Sequence, residues 1–223
     1  MGATLNERIA VRRLPEKQVR DRSVLDAVLD AGRVAHVAVV EDSDGDSGPR
    51  TQPYVLPVGY ARDGDTVLFH GSTASRLFRA LADGAPTCLT VTLLDGLVAA
   101  RSLFESSMHY RSAMVLGIAT ALQGDDRLPA LMRLSEHLMP GRSVDARHPS
   151  RKEIAATLVL ALPLTEWSVK VSAGPPDDLD EDLDRPVWAG VLPLREVAGA
   201  PVAAPDLRGS PELPAYLSSW AGR

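Results

Sequence analysis

Three short segments carry the residues whose types and spacing suit chemistry. The first is His70-Gly71-Ser72-Thr73-Ala74-Ser75-Arg76, a glycine and three hydroxyl residues leading to a cation. It lies between a β-rich stretch, Thr66–His70, and an apolar stretch of helical character, Ala74–Ala82. A strand-to-helix junction of this kind exposes backbone N–H groups and the positive end of a helix dipole, both attractive to an anion. Arg76 falls in the first helical turn, where the dipole disfavours a cation unless an anion or a carboxylate stands beside it. The segment suits a phosphate held by amides, by Ser72 or Ser75, and by Arg76. It also suits a capped helix with a solvated arginine. His70 is the candidate proton donor or substrate contact, because an imidazole titrates near neutrality. The alternative for His70 is a hydrogen-bonded structural histidine at a strand end.

The second segment is Met108-His109-Tyr110-Arg111-Ser112, which enters a β-rich run ending near Leu122. Arg111 offers a planar fork of donors to a phosphate or a carboxylate. Tyr110 and Ser112 fall on the opposite strand face from Arg111. The third is Trp188 with Gly190 and Pro193, in a chain with only 4% aromatic residues. This tryptophan suits stacking on a planar ring or a place in the core.

Other chemistries are not written in the chain. Gly-x-Gly-x-x-Gly, the Walker loop and the Gly-x-Ser-x-Gly elbow are missing, and the five histidines are scattered with no metal-ligand spacing. No metal site is expected. The single cysteine, Cys88, excludes an internal disulfide framework and reads as a thiol buried in a strand rather than a nucleophile. A net charge of −5 argues against a dedicated nucleic-acid binder. No apolar run approaches the roughly 20 residues of a membrane helix, and no signal peptide is visible in 1–13, so no membrane partner and a cytoplasmic location are the expectation.

The elements that must position these segments follow from period and punctuation. Apolar residues at 24, 25, 28 and 29 predict a helix over 23–31, capped by Ser23 or Asp21 and stopped by Gly32. Val34–Val40 reads as a strand, 42–49 as a turn, and 51–60 as a second strand. Pro53 and Pro57 place that second strand at an edge or a bulge. Strands are predicted at 66–70, 87–94 and 97–102, the last two joined by an Asp95-Gly96 hairpin turn. A strand over 112–122, a helix over 128–138, a β-rich run over 154–171 and a last strand over 187–194 complete the list. The acidic segment 174–184 reads as a solvated linker, or else as a lid. Some seven strands with short turns and three or four helices predict a mainly β (β plus α) fold, a largely antiparallel barrel with peripheral helices. An N-terminal arm (1–12), one domain (13–195) and a loosely attached Pro/Ala-rich tail (196–223) describe the organisation.

Taken in order, the segments resemble the pyridoxamine 5′-phosphate oxidase-like family of FMN-binding split barrels, closest to its nitroimidazole-resistance branch. Ser75-Arg76 is similar to the family's Ser-Arg-Lys phosphate signature, with Leu77 at the third position. Arg111-Ser112-Ala113-Met114-Val115-Leu116-Gly117 is similar to its later strand signature, and Trp188-Ala189-Gly190 with Pro193 to its Trp-x-Gly motif. His70-Gly71 and Tyr110-Arg111-Ser112 are similar to that branch. The resemblance spans about residues 12–195. It implies a split barrel that dimerises with itself, two FMN molecules at the subunit interface and a small-molecule substrate. The implied cofactor contacts are Pro53, Tyr54, Val55, Leu56, His70, Gly71, Ser72, Ser75, Arg76, Tyr110, Arg111, Ser112 and, from the partner chain, Trp188. The phosphate would lie near Ser72, Ser75, Arg76 and Arg111, and the isoalloxazine along 53–56. A flavin-dependent oxidoreductase, acting on a small, nitro-type substrate, is the function so implied. The alternatives are a flavin- or haem-binding protein without catalysis, with His36, His70 or His109 as an axial ligand, and a reductase using F420. Leu77 removes one expected cation, and Arg195 is the only cation in place of an Arg–His cluster after the tryptophan, so oxidation of vitamin B6 is not expected.

Overall fold

The computed structural model describes residues 7–45, 48–209 and 211–220, the stretches 41–45 and 48–51 by backbone alone. In chain order the strands are β1 (Gln18–Val19), β2 (Val34–Gly45), β3 (Gly48–Asp63), β4 (Thr66–Ser72), β5 (Pro86–Ala99), β6 (Ser107–Ile118), β7 (Thr120–Ala121), β8 (Thr157–Pro163), β9 (Glu166–Ser172) and β10 (Gly190–Pro193). The helices are α1 (Arg22–Ala31), α2 (Arg76–Ala82), α3 (Arg127–Leu138), α4 (Arg151–Ala155) and α5 (Ala215–Ser218). Asp21 caps α1 by accepting from the Ser23 amide at 2.9 Å, and Gly32 ends it.

All strand pairs are antiparallel, in the order β1-β9-β6-β5-β2-β3-β4-β8-β7, with β10 on β5. Five strands stand between β8 and β9 along this path, yet only Leu164 and Thr165 join them. In a flat sheet those two strands would lie roughly 29 Å apart at ~4.8 Å per strand. Two linking residues span only about 11 Å. The sheet must therefore roll until its two ends adjoin, which makes an open barrel with helices around it.

Register decides which faces are buried. Tyr60↔Phe69 and Val67↔Leu162 face the interior, where α1 contributes Leu25, Val28 and Leu29 and α2 contributes Leu77, Phe78 and Leu81. Ala61↔Leu68 faces outward but is covered by Ala130 and Leu134 of α3. β4 and β8 are thus apolar on both faces, and Val67-Leu68-Phe69 runs without alternation. β2, β5 and β6 alternate instead. Val37, Leu89 and Val115 are buried, while His36 and Val40 lie exposed on the uncovered face. Cys88 is half-buried on that outer face, and its desolvation pushes the thiol pKa up.

Several expectations are corrected. The turn over 42–49 shortens, because the β2–β3 ladder runs on to Gly45↔Gly48, and residues 46 and 47 lie outside the described residues. Asp95-Gly96 is no hairpin turn. β5 continues through it as one strand, because β6 pairs on both sides and Asp95 is the extra residue of a bulge. Gly96 suits that place, since a Cβ would stand 3.0 Å from the Leu192 carbonyl oxygen of β10, tighter than ordinary contact. β6 begins at Ser107 rather than 112, so His109, Tyr110 and Arg111 are already inside the strand. The 154–171 run divides into α4 and two strands that do not pair with each other.

The acidic segment is anchored rather than solvated throughout. Asp178, its side chain 3% exposed, accepts from the Arg101 amide at 2.5 Å and from its guanidinium at 2.8 Å. The tail returns to the domain: the Tyr216 hydroxyl donates to Asp145 at 3.0 Å, and Trp220 lies beneath the Arg33 guanidinium. Residues 1–6 of the arm and 210 and 221–223 of the tail lie outside the described residues. Among the described residues no helix is long and apolar enough to cross a membrane.

Candidate cofactor-binding site

The strand–helix junction after β4 keeps its shape by closing on itself. Ser75 donates its amide to the Ser72 carbonyl at 2.9 Å, Ala74 to the Ser72 hydroxyl at 3.1 Å, and Thr73 to the Ala156 carbonyl at 3.1 Å. The amides expected to cradle an anion are therefore already engaged, which corrects that part of the sequence reading. The Ser75 hydroxyl is what the junction offers instead, since it makes no side-chain capping bond to α2. The Arg76 guanidinium stands 5.0 Å from the centre of the Tyr54 ring, a cation–π distance. Gly71 is fixed by packing, since a Cβ there would collide with the Phe78 ring. His70 is exposed, on the ladder with Val159, yet neighbouring chain desolvates its ring enough to lower its pKa. It is a neutral imidazole at neutral pH.

The segment 53–56 runs beside this junction. β2 pairs with β3 along its length, whereas β4 pairs only with Tyr60–Asp63. Among the described residues the other edge of 53–57 therefore pairs with no strand, the edge rather than the bulge that the prolines allowed. Pro53 and Pro57 share one parity of the register, so both turn their missing donor away from β2. The N–H of Val55 and the carbonyls of 53, 55 and 57 then point outward from the sheet edge, where the Pro53 carbonyl accepts from the Gln52 side-chain amide at 3.1 Å. One donor between acceptors, next to an aromatic ring and a guanidinium, suits the polar edge of a planar heterocycle with an anionic tail.

Arg111 belongs to another place. Six residues of β5 separate Thr87, the neighbour of Val39 and thus of Tyr54, from Leu93, the partner of Arg111. At about 3.3 Å per residue that is roughly 20 Å. One chain does not bring Arg76 and Arg111 together. Arg111 donates from Nε and Nη2 to the Asp95 carboxylate at 2.9 and 2.8 Å. The guanidinium holds the Asp95 carboxyl below its ordinary pKa. Tyr110 and Ser112 lie on the opposite face, with Arg111 sharing the parity of buried Ala113 and Val115. Both ring nitrogens of His109 are engaged, Nε2 with the Gly174 carbonyl at 2.8 Å and Nδ1 with the Ser172 hydroxyl at 3.4 Å. Trp188 is 70% exposed, its ring folded over Gly190, where a Cβ would stand 2.7 Å from it. It precedes β10, which pairs with residues 96–99 of β5, far along the sheet from 53–56 of its own chain. Two residues escaped the sequence reading, Asp95 and Asp178. Each was hidden in a segment read by composition as turn or loop.

A rolled antiparallel sheet with peripheral helices and an open polar edge defines a split barrel of the flavin-binding type. The chain belongs to the pyridoxamine 5′-phosphate oxidase family, whose pattern residues 21–171 match. Among solved structures it is similar to an FAD and haem binding protein from Mycobacterium smegmatis, at 44% identity over 92% of this chain and 98% of that one, with a TM-score of 0.85. It is also similar to the flavocytochrome Anf3 from Azotobacter vinelandii, at 36% identity over 96% and 97%, with a TM-score of 0.87. A candidate 5-nitroimidazole antibiotic resistance protein from Bacteroides thetaiotaomicron shares the fold, at 20% identity over 69% and 86% and a TM-score of 0.55. No curated protein matches.

Proposed function

We propose that this protein binds a flavin and a haem and passes electrons between them, as a homodimer with its cofactors at the subunit interface. The full-length similarity to two proteins described as binding FAD and haem, and as a flavocytochrome, carries this reading. A bound flavin supplies hydride or single-electron transfer, and a haem iron supplies a one-electron partner.

The chain's own residues fit that pair. The outward N–H of Val55 and its flanking carbonyls orient the flavin's polar edge, and Tyr54 and Arg76 receive its anionic part. A terminal phosphate carries close to two charges at pH 7, whereas each phosphate of a dinucleotide carries one. The two phosphates of FAD and the one of FMN thus bring roughly the same charge to Arg76, and FAD is preferred because the 44%-identical solved protein is described as binding FAD and haem. An axial ligand must be a neutral imidazole with a free ring nitrogen. His109 is engaged at both nitrogens and His137 donates to the Gly32 carbonyl at 2.7 Å. Of the three candidates His36, His70 and His109, neither His36 nor His70 makes a side-chain hydrogen bond among the described residues, so the ligand is drawn from these two. The lowered pKa of His70 keeps that ring ready to ligate below the usual imidazole range.

The uncovered sheet face supports the dimer. Val34, Val40 and Val55 are exposed on it, and Leu103 and Phe104 stand 97% and 86% exposed in the β5–β6 loop. Apolar surface of this kind marks an interface more often than a monomer's exterior. A partner's Trp188 can then reach a flavin that its own chain's geometry keeps distant. The likeness to the nitroimidazole-resistance protein is one of fold, so a nitro-type substrate is not part of the proposal.

Absorption spectra after reconstitution with FAD, FMN and haemin test the reading. Flavin bands together with an intense Soret band are expected, with loss of the Soret band in His36→Ala or His70→Ala. Retention of neither cofactor would overturn it. Sedimentation velocity of the same preparation should give twice the chain mass.

A further inference from the structure

A second cavity, of about 740 Å³, opens where the end of α1, the β5 bulge and the chain after β10 meet. That volume lies in the range of small-molecule sites. We propose that it binds a small organic monocarboxylate with an apolar body, gripped by Arg195 and Arg33. The inference does not depend on the flavin or haem reading.

The charges around the cavity do not cancel. Arg33, Arg111 and Arg195 line it, against Asp95 and Glu196. Asp95 is spent on Arg111, which binds it through two parallel bonds. Glu196 reaches Arg33 only at 3.9 Å, and its side chain is 91% exposed at the rim, where water and salt screen it. Arg195 has no carboxylate partner among the described residues. Arg33 is steadied from behind, its guanidinium 5.7 Å from the centre of the Trp220 ring. Arg195, exposed, and Arg33, its side chain half-exposed, thus line the space against one loosely placed rim carboxylate.

The negative end of α1 also points here, and would oppose an anion if its carbonyls were bare. They are not. The Val28 carbonyl accepts from the Gly32 amide at 3.1 Å, the Leu29 carbonyl from the Tyr60 hydroxyl at 2.7 Å, and the Gly32 carbonyl bonds the His137 ring at 2.7 Å.

The remaining walls choose the ligand. Leu93, Leu94, Leu194 and Ala31 give an apolar lining, and Thr92 adds one hydroxyl. A planar fork matches a carboxylate, and an apolar lining wants a hydrocarbon or aryl body behind it. A phosphate dianion is disfavoured. Its second charge would need Arg111, which the Asp95 carboxylate already holds, and would face that carboxylate at close range.

Cinnamate is a suitable probe, with neutral cinnamamide as the control of equal shape. Isothermal titration of the purified full chain should show saturable cinnamate binding and at least tenfold weaker cinnamamide binding. Arg195→Ala should weaken cinnamate roughly tenfold or more, as the loss of a charge-assisted contact predicts. Arg33→Ala should weaken it less, and Arg195→Lys should retain part of the affinity with the protein's circular dichroism unchanged. No saturable cinnamate binding, equal binding of the amide, or wild-type affinity in Arg195→Ala would each overturn the assignment. Release of bound cinnamate by added FAD would overturn it too, by placing the probe in the flavin's groove.

Discussion

Arg76 and Arg111 look alike in the sequence, each a cation at the start or end of a regular element next to hydroxyl residues. The fold separates them by roughly 20 Å of sheet and gives them opposite surroundings. Arg111 is bound through two parallel bonds to a carboxylate supplied by a bulge. Arg76 lies over an aromatic ring beside an unpaired strand edge. A guanidinium already satisfied by a carboxylate has little left to give an incoming anion. A ring face engages a guanidinium through its flat side, a different contact from the two parallel bonds of a carboxylate. Residue type names the candidate, and the neighbours decide what surrounds it.

The largest expected effect tests that difference directly. Arg76→Ala should lower flavin affinity roughly 10- to 150-fold, the loss of about 1.5–3 kcal/mol for a charge-assisted contact. Arg111→Ala should change it by less than about threefold on the same scale. Fluorescence titration of the apoprotein reads both, and equal losses would break the comparison. Next comes Gly71→Ala, which forces Phe78 off the junction. Overpacking of this kind costs about 1–3 kcal/mol. At roughly 2–4 °C per kcal/mol for a chain of this size, calorimetry should show a clear fall in Tm. Smaller is Asp95→Ala. The pair is more than a third exposed on both sides, so its loss should cost no more than about 1 kcal/mol, read as a small shift in the urea midpoint. Smallest is an acid limb. The Asp95 carboxyl is depressed in the folded state, so its contribution is complete above the ordinary aspartate pKa of about 3.9 and fades as pH falls below it. Asp95→Asn should flatten stability over that window, and an unchanged acid limb would show that the Arg111 pair contributes nothing there.

Much of this was readable beforehand, for identifiable reasons. Helix α1 announced itself through apolar spacing, a capping aspartate and a stopping glycine. Pro53 and Pro57 marked an open edge, because a residue without an N–H tolerates few places in a sheet. Misreadings arose where a long-range partner overrode a local signal. Asp95-Gly96 has the composition of a two-residue turn. Pairing to β6 on either side, and β10 along the other edge, held the strand straight through it. The amides at 73–75 look available in any sequence of that composition. Only the return of Ala156 and the rotamer of Ser72 show that they are engaged. Asp178 read as one acid among many in 174–184, because nothing local indicates that Arg101, 77 residues earlier, will meet it. The division of 154–171 into two strands that do not pair with each other is likewise invisible to a window shorter than the barrel.

The two-residue step from Pro163 to Glu166 governs how this chain can reach its native state. Neither strand flanking it finds a partner nearby in sequence: β8 waits for β4, some 90 residues earlier, and β9 for β6, some 50 earlier. Ring closure over such separations comes late, and topologies dominated by it fold slowly. Until both strands dock, the apolar stretch Leu158–Leu162 and the apolar face of β9 carrying Val169 and Val171 stay available to neighbouring chains. Assembly at high concentration during refolding is therefore the main hazard this architecture carries.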